Sequence, residues 1–463
     1  MSSLSSKAIF QAQGLRSGLG RGLGSKFILV AILSLLSLIP LWTVREVVKE
    51  REDLNEEVKS DIAHGWGGPQ QLEGPRLVVP YVQTFKKLLD NKTVMERRTR
   101  YLVITPGKLN IDVDLTTEMR QRSIYKTTVY LANISIRGHF QEPKESEFEG
   151  KDIEILWQQA YLSTGISDPR GIRKAEITWN EKPRTVKTGA GSAQRRGNGL
   201  SAQVSLKKGP TTQHEFSIDI LLAGSQWLGL EPVGMNNHFN IVADWNSPSF
   251  KGSFLPTEQA VDSGGFSSAW DIQHLATGIP HHQTMYKGQA LVPTGQSAEV
   301  HLFEPQNLYR QVDRATKYGL LFIALTFLTL FVFEASMGQR IHFVQYLLVG
   351  LALSLFFLIL ISYAEYLGFD AAYTVSSTIV IGMNAAYSAS ILKNYRYALL
   401  VGSIQLALFG TIYILLNSED TGLMSGSIML AIALSATMYF TRNISWYRED
   451  SPVPEPKKEP QIV

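Results

Sequence analysis

The sequence predicts an integral membrane α-helical protein with six transmembrane helices and one large, mainly β domain outside the cytoplasm. Three observations predict it. Apolar residues are concentrated in long uninterrupted stretches, although the mean hydropathy is only -0.01. Between Arg45 and Lys317 the apolar residues instead alternate with polar ones, bounded by Gly, Pro, Asn and Asp. The Lys and Arg residues of the short loops between the apolar stretches fall on one side, though Arg314 and Lys317 beside the second stretch oppose that bias slightly. The composition of the 463-residue chain, 44% hydrophobic and 18% charged, is thus the average of two unlike regions.

Residues 1–26 form a flexible basic arm. Its Gly14-Leu-Arg-Ser-Gly-Leu-Gly-Arg-Gly-Leu-Gly-Ser-Lys26 run is rich in Gly, like a phosphate-binding loop. Such a loop needs a preceding strand and a following soluble helix, whereas an apolar run follows here. A bilayer core of about 30 Å needs about 20 apolar residues in a helix. Phe27–Val44 qualifies as the first span. It exceeds the 7–15 apolar residues usual in a signal peptide, and no A-x-A site follows, so it is read as a retained anchor.

Val44, Val47, Val48, Leu54, Val58 and Ile62 then recur at helical spacing among Glu and Lys. They predict a helical stalk over 45–64, stopped by Gly65-Trp-Gly-Gly-Pro69. Beyond it the period changes to two. Strands are expected at Leu77–Val82, Tyr101–Ile104, Asn110–Leu115, Ser123–Ile136, Asp152–Trp157, Lys174–Trp179, Glu215–Leu222, His238–Trp245, Gln289–Val292 and Ala298–Phe303. So many strands without long helices indicate a mainly antiparallel β-sandwich or a pair of β-modules. Lys187–Gly209 reads as a long loop between two halves. Trp157, Trp179, Trp227, Trp245 and Trp270 read as core anchors rather than a ligand platform.

Five further spans follow: Tyr318–Met337, Tyr346–Tyr363, Ala371–Leu392, Ala398–Leu416 and Leu423–Phe440. A tail, 441–463, ends the chain. Lys7, Arg16, Arg21 and Lys26 precede the first span. Arg340, Lys393, Arg396, Arg442, Arg448, Lys457 and Lys458 fall in alternate loops and the tail, while Glu365, Asp370, Glu419 and Asp420 fall in the others. By the positive-inside rule both termini are cytoplasmic and the domain 45–317 is external.

The composition excludes several classes. A net charge of +3 with mixed signs leaves no nucleic-acid footprint. The absence of Cys removes disulfides, thiolate metal sites and cysteine nucleophiles. Zincin, α/β-hydrolase and nucleotide-binding motifs do not occur, so no catalytic residue, metal or cofactor is assigned. His281 and His282 are adjacent, and neighbours on a strand point to opposite faces. The turn-rich Ser247-Pro-Ser-Phe-Lys-Gly-Ser-Phe-Leu-Pro256 offers three serines. Its plainer reading is a bent connection fixed by Pro248, Gly252 and Pro256, with Phe250, Phe254 and Leu255 plugging the domain edge. Within the spans, Glu334, Asn384 and Gln405 are the candidate intramembrane polar contacts. Glu334 lies near enough to the interface for Arg340 to pair with it.

Several stretches carry a resemblance: Gly74-Pro-Arg-Leu-Val-Val-Pro-Tyr81; Ser167-Asp-Pro-Arg-Gly-Ile172; the 247–256 turn; Asp313-Arg-Ala-Thr-Lys-Tyr-Gly-Leu-Leu-Phe-Ile-Ala-Leu-Thr-Phe327; Gln345-Tyr-Leu-Leu-Val-Gly-Leu351; and Thr441-Arg-Asn-Ile-Ser-Trp-Tyr447. With the order of spans and domain, they resemble the CreD, or cell envelope integrity, family from about Phe27 to Tyr447. The resemblance implies a Gram-negative inner-membrane protein with a periplasmic domain. It also implies links to envelope integrity, a two-component regulatory system, and responses to cell-wall antibiotics and colicins. It supplies no catalytic residues. The expected partners are the bilayer and an envelope protein, cell-wall component or lipid. The expected role is envelope integrity and antibiotic or stress response through the β domain. A transporter or lipid-handling permease is the first alternative, and a membrane-bound hydrolase the second.

Overall fold

The computed structural model describes residues 23–89, 92–191, 198–206, 213–286, 295–302, 308–337, 341–392, 395–417 and 422–442. The basic arm up to residue 22, the tail from 443, the strand expected at Gln289–Val292, and Arg340, Lys393, Glu419 and Asp420 lie outside them. The chain divides into a helical unit, Met1–Leu54 with Gln306–Val463, and a β unit, Asn55–Pro305.

In the helical unit, α1 (Leu23–Leu36) and α2 (Leu38–Trp66) are separated at Ser37. Pro40 explains the break, since it has no N–H to donate to the carbonyl of Leu36 and its ring crowds that carbonyl. Ser37 fills in locally, its N–H and hydroxyl both donating to Leu33 O, at 3.0 and 2.9 Å. The later helices are α3 (Leu308–Lys317), α4 (Gly319–Met337), α5 (Phe343–Leu367), α6 (Phe369–Leu392), α7 (Tyr395–Asn417) and α8 (Gly422–Thr441). All six expected spans therefore coincide with helix. Among the described residues, three helices are long and apolar enough to cross a membrane: Lys26–Trp66, Phe343–Leu367 and Tyr395–Asn417. The α3–α4 pair, bent by 41°, makes a fourth when taken as one span.

Ring contacts set the order of the bundle. Phe322 meets Phe409 at 4.6 Å and Phe333 meets Tyr397 at 6.2 Å, so α4 and α7 are antiparallel. On α6, Tyr373 Oη donates to Phe409 O at 2.8 Å, and Ala385 packs against Gly402 further along, so α6 and α7 are also antiparallel. Phe322, Phe356, Tyr373 and Phe409 form the aromatic centre, with offset and edge contacts that aromatic quadrupoles favour.

In the β unit, α2 ends at Trp66, where Gly67 and Gly68 both donate to Ala63 O. Gly68 has φ +61°, a left-handed conformation that suits glycine at a helix C-terminus. The strands are β1 (Gln70–Leu89), β2 (Lys92–Ile104), β3 (Lys108–Arg122), β4 (Tyr125–Gln141), β5 (Ile153–Ile155), β6 (Tyr161–Ile166), β7 (Ile172–Trp179), β8 (Lys182–Arg184) and β9 (Val186–Thr188). They continue as β10 (Gly199–Gln203), β11 (Gln213–Ser225), β12 (Trp227–Leu230), β13 (Asn236–Ala243), β14 (Pro248–Gly252), β15 (Glu258–Asp262), β16 (Gly265–Gln273), β17 (His282–Tyr286) and β18 (Ala298–Leu302).

One sheet of ten strands runs β14-β18-β12-β1-β6-β10-β9, with β2 and β5 also on β1 and β17 on β2. The other, of eight, runs β15-β16-β13-β3-β4-β11-β7-β8. Pairing is antiparallel except for β1 with β12 and β3 with β13. A single buried cluster draws on both sheets, so the β unit is one body rather than two modules. The period of two is visible in β3, where Leu109, Ile111, Val113 and Leu115 are buried and Asp112 and Asp114 are exposed.

The expected loop Lys187–Gly209 contains β10 and most of β9; both pair, so that stretch extends the ten-stranded sheet. Its Gly, Ser and Ala content hid strands held by ladder hydrogen bonds rather than by bulky side chains. Trp179 and Trp270 are fully buried, and Trp157 and Trp245 pack against the same core. Phe140 stacks on Trp179 at 6.1 Å and meets Phe216 at 4.9 Å. Replacing Phe140 with Ala is expected to destabilise the β unit by about 3–5 kcal/mol through the cavity left behind. Thermal unfolding of the full chain followed by near-ultraviolet circular dichroism checks this.

Candidate functional site

The polar groups of the helical unit occupy two levels. At one end, Glu334 near the close of α4 is buried and hydrogen-bonded on both oxygens. Lys26 on α1 donates to Oε1, the backbone N–H of Ile341 donates to the same atom at 3.1 Å, and Tyr346 Oη donates to Oε2 at 3.1 Å. The expected partner Arg340 lies outside the described residues. Lys26, more than three hundred positions away in sequence, forms the pair instead. Glu334 thus ties α1, α4 and α5 together, and its carboxylate has no oxygen left without a donor.

The second level is mid-bundle. Gln405 on α7 is 1% exposed and Asn384 on α6 is 2% exposed. Among the described residues, Gln405 Nε2 and Oε1, Asn384 Nδ2, Ser388 Oγ and Thr326 Oγ1 have no hydrogen-bond partner. Starting from the Phe322–Phe409 contact, one turn along α4 reaches Thr326 and one turn back along α7 reaches Gln405. The Ala385–Gly402 contact places Asn384 within about one further turn. Three helices thus bring unpaired amide and hydroxyl groups to one depth. Each such buried atom costs about 1–3 kcal/mol unless a partner satisfies it. Thr326 and Ser388 were not foreseen, since hydroxyls in apolar helices ordinarily donate to their own i−4 carbonyl.

In the β unit the 248–256 stretch packs on the core and pairs at the sheet edge. Pro248–Gly252 is the edge strand β14, paired with β18. Phe250 meets Phe266 at 5.8 Å and Trp270 at 5.9 Å, and Trp270 Nε1 donates to Phe254 O at 3.1 Å. Gly252 has φ +86°, and a Cβ there would lie 2.2 Å from Ser297 O. Pro256 follows β14 in the irregular link to β15. Leu255, expected to plug the edge, is 70% exposed. Ser249 lies opposite His301 in register, but His301 Nε2 is bonded to Glu299 at 3.0 Å. No hydrogen bond joins Ser249 to His301 among the described residues.

The 167–172 stretch forms a knot around Gln70. Gln70 Nε2 donates to Gly67 O at 2.6 Å, Asp168 O at 3.1 Å and Ala223 O at 3.2 Å, while its Oε1 accepts from Ser167 Oγ at 3.1 Å. Gly171 fits here because a Cβ would fall 2.3 Å from Ala223 O and 2.6 Å from Gln70 Nε2. Arg170 binds the Asp168 carboxylate at 2.6–3.1 Å. Nearby, Arg76 is buried with Glu231 at 3.7 Å and Glu73 close by; burial pulls its pKa down against the pull of the two carboxylates.

The outward face of the eight-stranded sheet is polar. His139 and Arg137 on β4 stand opposite Glu215 and Ser217 on β11. With Thr178, Glu181 and Phe216 they line an open cavity of about 350 Å³. Ser135 and Ser217 both donate to the Asp219 carboxylate, at 2.8 and 2.9 Å.

The family model described as "Inner membrane protein CreD" matches residues 22–447. The chain belongs to the CreD family. "Inner membrane protein CreD" of Escherichia coli (strain K12) is 32% identical over 432 residues, covering 92% of this chain and 94% of that one. The family match includes both polar levels of the helical unit, the Gln70 knot and the sheet face. Among solved structures, an M1 zinc metallopeptidase from Deinococcus radiodurans aligns over 77% of this chain and 97% of its own. A mutant of an M1 zinc metallopeptidase from the same organism aligns over 76% and 96%. Both are 10% identical with a TM-score of 0.20, values at which no common fold is implied.

The Arg170 hydrogen bonds hold the Asp168 carboxyl below the usual carboxylate range, against a smaller opposing effect of burial. A lowered folded-state pKa adds stability that is present above the unfolded value and lost as pH falls through the folded one. In Arg170→Ala the Asp168 pKa returns toward normal. The difference in Tm between parent and variant should hold constant above about pH 5 and close below about pH 4. Unfolding scans from about pH 3 to 7 check this.

Proposed function

We propose that this CreD-family chain is a six-span inner-membrane protein with cytoplasmic termini. Its β unit lies in the periplasm, where it binds a cell-wall, lipid or protein component of the envelope and supports envelope integrity and antibiotic or stress responses. Family membership and the apolar helices support the membrane setting. The alternation of basic and acidic loops supports six spans and this orientation. The observation that carries the binding role is the polar outward sheet face, where Arg137, His139, Glu181, Glu215 and Ser217 surround the open cavity. An open cavity lined by polar groups of both charge signs suits a hydrogen-bonding ligand better than an acyl chain.

The chain has no Cys, so a single introduced thiol reports its side of the membrane without background. Leu255→Cys should react with a membrane-impermeant maleimide in intact spheroplasts. Labelling only after lysis would place the β unit in the cytoplasm. Given that orientation, Arg137→Glu with Ser217→Leu should sensitise cells to detergent and β-lactam at unchanged membrane levels. Wild-type resistance in that variant would remove the sheet face from the binding role.

A second reading, carriage of a small polar solute, is favoured by one observation: the unpaired polar atoms of Thr326, Asn384 and Gln405 at one depth of the bundle. Asn384→Leu with Gln405→Leu should raise thermal stability, because each unpaired buried atom costs about 1–3 kcal/mol. On this reading it should also abolish envelope protection. Retained protection with raised stability would leave the pair a helix-packing feature only.

A further inference from the structure

The helical unit holds a groove between α2, α3 and α4 that none of these roles uses. Leu38, Ile39, Leu41 and Trp42 line it on one side, and Thr316, Lys317 and Leu320 on the other, with Arg45 at the rim. Its volume is about 660 Å³. The 41° bend between α3 and α4 opens it, and Gly319 at the bend lets Leu41 approach to where a Cβ would stand 2.8 Å away.

The groove is divided along its length by polarity. Leu38, Ile39, Leu41 and Leu320 make the lower part apolar. One to two turns further along α2 stand Trp42 and Arg45, and Lys317 faces them from the end of α3. Trp42 is 66% exposed, and an amphipathic indole is characteristic of the headgroup level of a bilayer. Arg45 Nε lies 3.3 Å from Asp313 Oδ1, and Lys317 Nζ lies 2.7 Å from Asp313 Oδ2. Two cations therefore share one carboxylate, so these three residues together carry one net positive charge. Helix α3 buries Tyr309, Val312, Ala315 and Thr316 within the protein and turns Arg310 and Lys317 outward.

We propose that this groove is a site for one anionic glycerophospholipid. Its phosphate meets Arg45 and Lys317, its glycerol backbone lies against Trp42, and an acyl chain runs over Leu38, Leu41 and Leu320. A zwitterionic lipid brings its own cation to the phosphate and gains less from the surplus charge. A free phosphate lacks the acyl chain that the lower groove receives.

The test is native mass spectrometry of the full chain released from detergent, titrated with phosphatidylglycerol, phosphatidylcholine or glycerol 3-phosphate. One phosphatidylglycerol should be retained well above phosphatidylcholine, and glycerol 3-phosphate should not be retained. Interfacial Lys and Arg attract anionic lipid, so Arg45→Ala with Lys317→Ala should lower retention about tenfold or more. Leu320→Trp, which fills the apolar part, should also reduce it. Asp313→Asn removes the competing carboxylate and should raise retention, a change that general loss of folding cannot imitate. Equal retention of the two lipids, unchanged retention in the double variant, or a fall in Asp313→Asn would overturn the site.

Discussion

Every peptide group taken out of water must find its hydrogen bond within the chain, and the two units meet that demand in opposite ways. In the helical unit each segment satisfies itself, so its side chains are free to be almost uniformly apolar. In the β unit no strand satisfies itself. The two sheets exist because distant segments supply one another's partners, as when β1 pairs with strands as far along the chain as β12. Where local satisfaction fails, a specific repair is visible. Ser37 returns bonds to Leu33 around the gap left by Pro40, and Gln70 collects three carbonyls at a junction of four segments.

The same accounting separates support from function. The Gln70 knot, the Glu334 cluster and β14 are satisfied arrangements in which removal of one member leaves others without partners. Two of them carry residues of the stretches that resemble the family. The mid-bundle amides and hydroxyls are the reverse case: Gln405 is buried with both amide atoms unmatched among the described residues. A charged groove with one carboxylate between two cations is unbalanced in a milder way. The carrier role and the lipid site rest on such imbalances, whereas the binding role rests on the polar sheet face.

Much of the fold was legible because it is written in local periodicity. The span positions follow from continuous apolar runs, and the stalk from three- and four-residue spacing ended by Gly65–Pro69. Nine of the ten expected strands coincide with strands in the structure, Asp152–Trp157 only over Ile153–Ile155, and the tenth, Gln289–Val292, lies outside the described residues. Most strands that escaped notice, such as β8, β9, β10 and β12, are three to five residues long, with β6 at six and β16 at nine the exceptions. Pairing with neighbours holds them, and a short run of Gly, Ser and Ala carries no periodic signal. The apolarity that made six segments stand out is also unequal. Helices α6 and α8 are helical at the expected places, but the strongest apolar windows lie elsewhere.

By itself the sequence determined which stretches are apolar, which alternate and where the basic residues fall, because each is a property of neighbouring positions. It also singled out Glu334, Asn384 and Gln405 as polar groups in apolar surroundings. Tertiary structure alone decided their company. It matched Glu334 with Lys26 from the far end of the chain, set Thr326 level with Gln405, and turned Arg45 and Lys317 toward one carboxylate. Those pairings depend on how helices distant in sequence lie against each other, a relation that no local pattern encodes.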